Sequence, residues 1–181
     1  RQFLIGNLLV AFLAFLVPLQ VVLFEMVLLG RNLQETQIVL NFNYDIIFYW
    51  VLCFSIFAGL SNLVREIVKD LEDFKGDHYF GRRTLPVMIG QAGAKIAVMA
   101  ILGIIAMGII VLYLLFLDDL YLMFYLLLLI FTPIAWVIRL TFTANNAQNF
   151  HKVSEIIKGI MIAGILFAPF VYIVSTYISN E

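Results

Sequence analysis

An all-helical bundle that crosses a membrane several times is the architecture this sequence predicts. Hydrophobic residues make up 64% of its 181 positions and charged residues only 13%, against roughly half and a quarter in soluble domains. Mean hydropathy is +1.03. Five apolar stretches are each long enough to cross a hydrocarbon core about 30 Å thick, which takes roughly 20 helical residues. The charges gather instead in one place, with ten of 23 falling in residues 65–86.

The spans are expected near 3–29, 43–64, 93–117, 119–140 and 155–178. Gly30, Arg31 and Asn32 offer a stop for the first. The second is expected to run on as helix past the membrane surface into the charged stretch. Asp118 and Asp119 mark a tight hairpin between the third and fourth, and Ser154 before Glu155 suits an N-cap for the fifth. Pro18, Pro133 and Pro169 fall inside spans, where neighbouring helices can satisfy the freed carbonyls. No soluble domain or low-complexity linker remains, so residues 1–181 read as one unit. No cleavable signal peptide is evident. The chain opens on Arg1 rather than Met and enters an apolar segment almost at once, which suggests a fragment or a processed chain.

Lys and Arg set the expected orientation. One side of the membrane receives Arg1, the basic residues of 65–95 and those of 139–158; the other receives only Arg31. The basic side, with the 65–86 stretch, is therefore expected to be cytoplasmic. A net charge of −1 makes no case for nucleic acid or a polybasic tether. The single cysteine, Cys53, excludes an internal disulfide and reads as packing. His78 and His151 fall in loops without ligand spacing and read as solvated.

An Asp or Lys at a bilayer centre costs about 2.5–3.5 kcal/mol, so the 65–86 stretch belongs at or beyond the interface. Its pattern is the informative part. On a helix, Glu66, Asp70, Asp73 and Asp77 fall at i, i+4, i+7 and i+11, a single narrow stripe that Asn62 extends toward the membrane. Like charges at that spacing repel by a few tenths of a kcal/mol each. Lys69 and Lys75 relieve this in part, and a divalent cation would relieve it further. Carboxylates are hard oxygen ligands, and Mg²⁺ is commonly held by one or two of them together with substrate phosphates. Acids beside Arg65, Lys69, Lys75, Arg82 and Arg83 thus suit a metal-bridged diphosphate. Gly76 and Gly81 would bend or end the helix and let backbone approach a ligand. The competing reading is a solvated juxtamembrane helix whose charges mark the interface.

The string Arg65-Glu66-x-x-Lys69-Asp70-x-Glu72-Asp73-x-x-Gly76-Asp77, followed by Gly81 and Thr84-Leu85-Pro86, resembles the second aspartate-rich motif of the UbiA superfamily of intramembrane prenyltransferases. Gly6-Asn7 at the head of the first span matches how the second half of that family often begins. The resemblance follows span order over essentially the whole chain. It implies a fold of nine transmembrane helices around a central cavity, of which these five would be helices five to nine. An amino-terminal half with a first acidic motif would then lie upstream of Arg1. Asn41-x-Asn43-x-Asp45 has the wrong spacing for that motif and the wrong side of the membrane.

The resemblance implies a Mg²⁺-dependent transfer of a prenyl group from a prenyl diphosphate to a lipid-soluble acceptor. Asp73 and Asp77 would hold Mg²⁺ on the diphosphate, with Asp70 and Glu66 extending the same face. Arg65, Lys69, Lys75, Arg82 and Arg83 would contact phosphate or pair the acids, and Asn7 would add a hydrogen bond from the neighbouring helix. Aromatic rings would line the cavity that shields an allylic cation. The form of the motif looks closest to members that prenylate geranylgeranylglyceryl phosphate; members acting on aromatic quinone precursors, or on haem, are the alternatives. Alone, a carboxyl-terminal half is expected to be inactive.

Two other classes compete. CDP-alcohol phosphotransferases also carry an Asp-rich metal motif, but the Asp-Gly and Ala-Arg pairs expected upstream of it are missing here. A non-enzymatic membrane protein, such as a transporter part, would more often place ionisable groups within its spans. Here they are nearly absent there, with Glu25 near one span end and Arg139 near another.

Overall fold

The computed structural model describes residues 5–36, 44–117 and 119–178, and among them every element is helical. Arg1, Asn41, Asn43 and Asp118 lie outside the described residues. In chain order the elements are α1 (Ile5–Thr36), α2 (Tyr44–Glu72), α3 (Phe74–Tyr79), α4 (Leu85–Phe116) and α5 (Leu120–Leu126). A π-helical turn (Leu127–Phe131), α6 (Thr132–Thr143) and α7 (Ala147–Ile178) complete the chain. Five segments are long and apolar enough to cross a membrane: Ile5–Glu25, Ile47–Glu72, Leu85–Phe116, Leu120–Thr143 and Ala147–Tyr177.

Several helix limits differ from the sequence expectation. Gly30, Arg31 and Asn32 do not stop α1, which runs on to Thr36. One Gly costs a helix only about 1 kcal/mol, too little to break a run of good helix formers. Ser154 is not an N-cap but lies two turns inside α7, buried. The earlier start follows from packing: Phe150, Val153 and Ile157 are buried at helical spacing, so their face extends the helix beyond the apolar span. The fourth span is built in three pieces. Pro133 brings no N–H, and the π-helical turn before it widens the backbone, so the Leu127 carbonyl accepts from both the Thr132 amide and its hydroxyl (2.8 Å). Asp119 caps α5, its carboxylate accepting from the amides of Tyr121 (2.7 Å) and Leu122 (3.1 Å).

Helix α2 is the axis of the bundle. α1 packs along one side of it, α4 and α7 along the other, and α6 closes against α4 and α7. Where α1 meets α2, Gly59 lets the backbones approach: a Cβ there would stand 3.0 Å from the Phe15 Cβ and 3.2 Å from the Ala11 carbonyl. The tightest core lies toward the end of the bundle that carries residues 65–86. Val64, Ile67, Val68 and Leu71 of α2 meet Val98 and Leu102 of α4, Val137 of α6 and Phe150 and Val153 of α7.

A cation clasps the same end. Lys95 of α4 donates to the Ala144 carbonyl at the carboxyl end of α6 and to Asn145 Oδ1 (3.4 Å), and stands 5.7 Å from the Phe150 ring centre. The positive charge at a helix carboxyl terminus is favourable there. The opposite end of the bundle is looser. It holds an apolar cavity of about 600 Å³ bounded by Trp50, Phe54 and Phe57 of α2, Ile105 of α4, Ile130 of the π-helical turn and Phe167 of α7. Outward faces are apolar too, as with Leu114 and Ile165, which suits helices surrounded by hydrocarbon.

Candidate functional site: an acidic helix end

The charged stretch is not one continuous helix. α2 ends at Glu72, Asp73 turns the chain, and α3 resumes at Phe74. The expected bend at Gly76 therefore falls three residues earlier, and Gly76 lies inside α3. The turn is nonetheless closed by helical hydrogen bonds, Asp73 N–H to Lys69 O and Asp77 N–H to Asp73 O, each 3.0 Å. That continuity keeps the four acids near one another across the break. Gly81, at φ 64°, then ends α3 in the left-handed region that favours glycine.

The carboxylates sit in unequal surroundings. Asp77 is buried, 4% exposed, while Asp73 is exposed and Glu66 and Asp70 are half-buried. Asp70 interacts electrostatically with Asp77, Glu66 and Asp73 together. It also accepts a 2.6 Å hydrogen bond from the Asn7 side chain, 63 residues earlier on α1. Arg82 donates to Asp77 at 3.2 Å, and Arg65 donates to Glu66 at 2.8 Å. The Nε of Arg65 is buried and meets no partner among the described residues. Lys69, Lys75 and Arg83 are exposed and make no ion pair among the described residues. The structure thus gathers Asn7, Arg65, Glu66, Asp70, Asp73, Asp77 and Arg82, and leaves those three cations on the periphery.

One contact escaped the sequence reading. His151 at the start of α7 meets Glu72 at the end of α2, Nδ1 to Oε1 3.1 Å. Neither His151 nor Glu72 is among the site residues the sequence suggests, because no local pattern links positions 79 residues apart. His78 stacks on Phe74 at 6.0 Å between ring centres.

The apolar cavity does not open beneath these acids. At about 100° per residue, Asn62, Glu66 and Asp70 lie on one face of α2. Trp50, Phe54, Phe57 and Leu60, which border the cavity, lie on the roughly opposite face with the core residues Val64 and Val68. The acid face is instead continued outward by Gly59, where α1 lies against it. An aromatic-lined cavity was expected from the resemblance; the one observed is on the far side of the helix. Among the described residues, no three His, Cys, Asp or Glu side chains gather closely enough to hold a metal ion by themselves.

Comparison with known proteins gives several relatives that share a name. The chain is similar to the digeranylgeranylglyceryl phosphate synthase of Methanosphaera stadtmanae, 35% identical over 115 residues, or 62% of this chain and 41% of that protein. The protein of the same name from Pyrococcus horikoshii is 51% identical over 47 residues, 26% of this chain and 16% of the relative. That of Methanobrevibacter smithii is 28% identical over 130 residues, 71% of this chain and 45% of the relative. In each case the aligned part spans less than half the length of the relative. No family model matches the chain, and no solved structure matches it significantly. The chain is thus similar, over up to 71% of its length, to proteins named digeranylgeranylglyceryl phosphate synthase, each of which it matches in part.

Proposed function

We propose that the protein of which these residues form part transfers a prenyl group from a prenyl diphosphate to a lipid-soluble acceptor, with residues 65–86 holding the diphosphate. The observation that supports this most is that Asp70, held by Asn7, lies near enough to Asp77, Glu66 and Asp73 to feel their charges, with Arg82 and Arg65 paired to two of these acids. Such crowding of like charge is unfavourable unless a cation or cationic ligand answers it. The donor set is of hard oxygens, one of them on the buried Asp77, and fits Mg²⁺ shared between protein and substrate phosphate better than a full protein cage. Asp73 and Asp77 would hold the ion, with Asp70 and Glu66 behind them. When bound, the metal supplies neutralisation of the charge that builds on departing diphosphate.

The chain's own residues do the rest. Arg82 offsets the charge of buried Asp77 at 3.2 Å. Arg65, whose side chain is about one third exposed and pairs with Glu66, is placed to add a donor for a phosphate oxygen. Asn7 fixes the orientation of Asp70 from α1. Lys69, Lys75 and Arg83, exposed at the rim, raise the local concentration of an anionic substrate. We take geranylgeranylglyceryl phosphate as the acceptor, following the names of the relatives, and place the acidic end on the cytoplasmic side from the Lys and Arg distribution. The first acidic motif that the resemblance implies would complete the site from another part of the whole protein.

The test is direct. Asp73→Ala and Asp77→Ala, each in the complete protein in native membranes, should abolish Mg²⁺-dependent transfer of labelled geranylgeranyl groups while membrane insertion is unchanged. Undiminished turnover in either variant would contradict the assignment.

A further inference from the structure

Between the buried Asp77 and the buried Leu85 and Pro86, the chain turns two large aromatic side chains outward. Tyr79 is 84% and Phe80 74% exposed, packed edge to face with ring centres 5.3 Å apart. This exposure is imposed by the backbone. Phe80 N–H bonds Gly76 O (2.9 Å), Gly81 N–H bonds His78 O (3.3 Å) and Arg82 N–H bonds Asp77 O (2.8 Å). A closed turn anchored at both ends cannot swing its rings into the core. Arg82 and Arg83 follow after Gly81 and are exposed. Beyond Pro86, Met88 and Ile89 are also about half exposed, and Gly90, at φ 81°, separates Leu85–Ile89 from the rest of α4.

We propose that Tyr79, Phe80, Met88 and Ile89 form an interfacial anchor that inserts into the headgroup–acyl boundary of the bilayer the chain crosses, with Arg82 and Arg83 meeting lipid phosphates. Position argues for this occupant. α3 has six residues and so is about 9 Å long, tied to the end of one span and separated from the start of another by the five residues 80–84. It cannot leave the neighbourhood of the interfacial layer, which is about 5–8 Å thick on each side. Chemistry argues the same way. Aromatic rings with a polar edge are favoured at that depth, and Arg pairs with phosphate bidentately. The anchor sets the depth of α3, and with it the depth of Asp77 and its partner Arg82. It does not depend on the prenyl-transfer reading, because its test needs no activity.

The test is site-directed spin labelling of the full chain in vesicles of phosphatidylcholine with phosphatidylglycerol. Cys53 is the only cysteine, so Cys53→Ala provides the background for Tyr79→Cys and Phe80→Cys, both at exposed positions. Labels at 79 and 80 should collide several-fold more often with oxygen than with a water-soluble nickel complex, relative to a label at exposed Asn146, between the last two spans. Replacing Arg82 and Arg83 together by Gln should shift both labels toward water, and more so in vesicles containing phosphatidylglycerol than in pure phosphatidylcholine. Equal access to nickel at positions 79, 80 and 146 would overturn the proposal. So would protection from both reagents, which would mean that protein covers the rings.

Discussion

Asn7 and Asp70 offer the sharpest test of how the acidic end is held together. The bond between them is 2.6 Å long and joins α1 to α2. Neutral interhelical hydrogen bonds in membranes average about 0.6 kcal/mol, whereas those to charged groups contribute about 1.5–3 kcal/mol. A carboxylate acceptor at a helix end belongs with the second group. Asn7→Ala leaves a half-buried carboxylate without its donor and is expected to cost about 2 kcal/mol. Asp70→Ala loses the same bond but also removes three repulsions, with Asp77, Glu66 and Asp73. At a few tenths of a kcal/mol each, these return about 1 kcal/mol. The amide replacement should therefore destabilise more than the carboxylate replacement, an unusual order for a charged group and its neutral partner. Unfolding in mixed dodecylmaltoside and SDS, followed through Trp50 and Trp136, measures both variants and the double mutant. An equal or larger loss for Asp70→Ala would refute the picture of mutually repelling carboxylates restrained by one donor.

Three further outcomes are expected. Gly59→Leu should force α1 away from α2, because even a Cβ there stands 3.0 Å from Phe15; the cost is about 1–3 kcal/mol, seen in the same unfolding assay. Lys95→Met removes the cation from the Ala144 carbonyl, Asn145 and the Phe150 ring. It should cost about 1–2 kcal/mol and speed hydrogen exchange in the turn between α6 and α7. Arg82→Gln leaves Asp77, 6% exposed at its side chain, without its 3.2 Å partner. With Arg82 itself 55% exposed, the loss should stay near 1 kcal/mol, read as a lowered thermal midpoint in detergent.

Much of this architecture is legible in composition because a membrane imposes a length on every apolar run. Five long apolar stretches correspond to five helices able to span, and Glu66, Asp70 and Asp73 lie near enough to interact electrostatically. What was not legible depends on tertiary packing. The break at Asp73 occurs among residues that would continue a helix, and Gly76, the local signal for a bend, stayed helical. The early start of α7 reflects burial of Phe150 and Val153 against partners remote in sequence. The pairing of Glu72 with His151 carries no periodic signature at all. The side of α2 on which a cavity opens is likewise set by where α4 and α7 settle, which no stretch of α2 records.

The two-sidedness of α2 has a consequence for how this protein can vary. Its acids look toward α1, while Trp50, Phe54 and Phe57 look away from it into the hollow bounded by Ile105 and Phe167. The helix is in effect a dividing wall, and a volume change on the hollow side need not disturb the ionic groups on the other. A larger side chain at Gly164, for instance, would meet the tip of the Phe57 ring, which has open space beside it into which to turn. Natural variation in bulk should thus accumulate on that flank, leaving the charged flank under separate constraint.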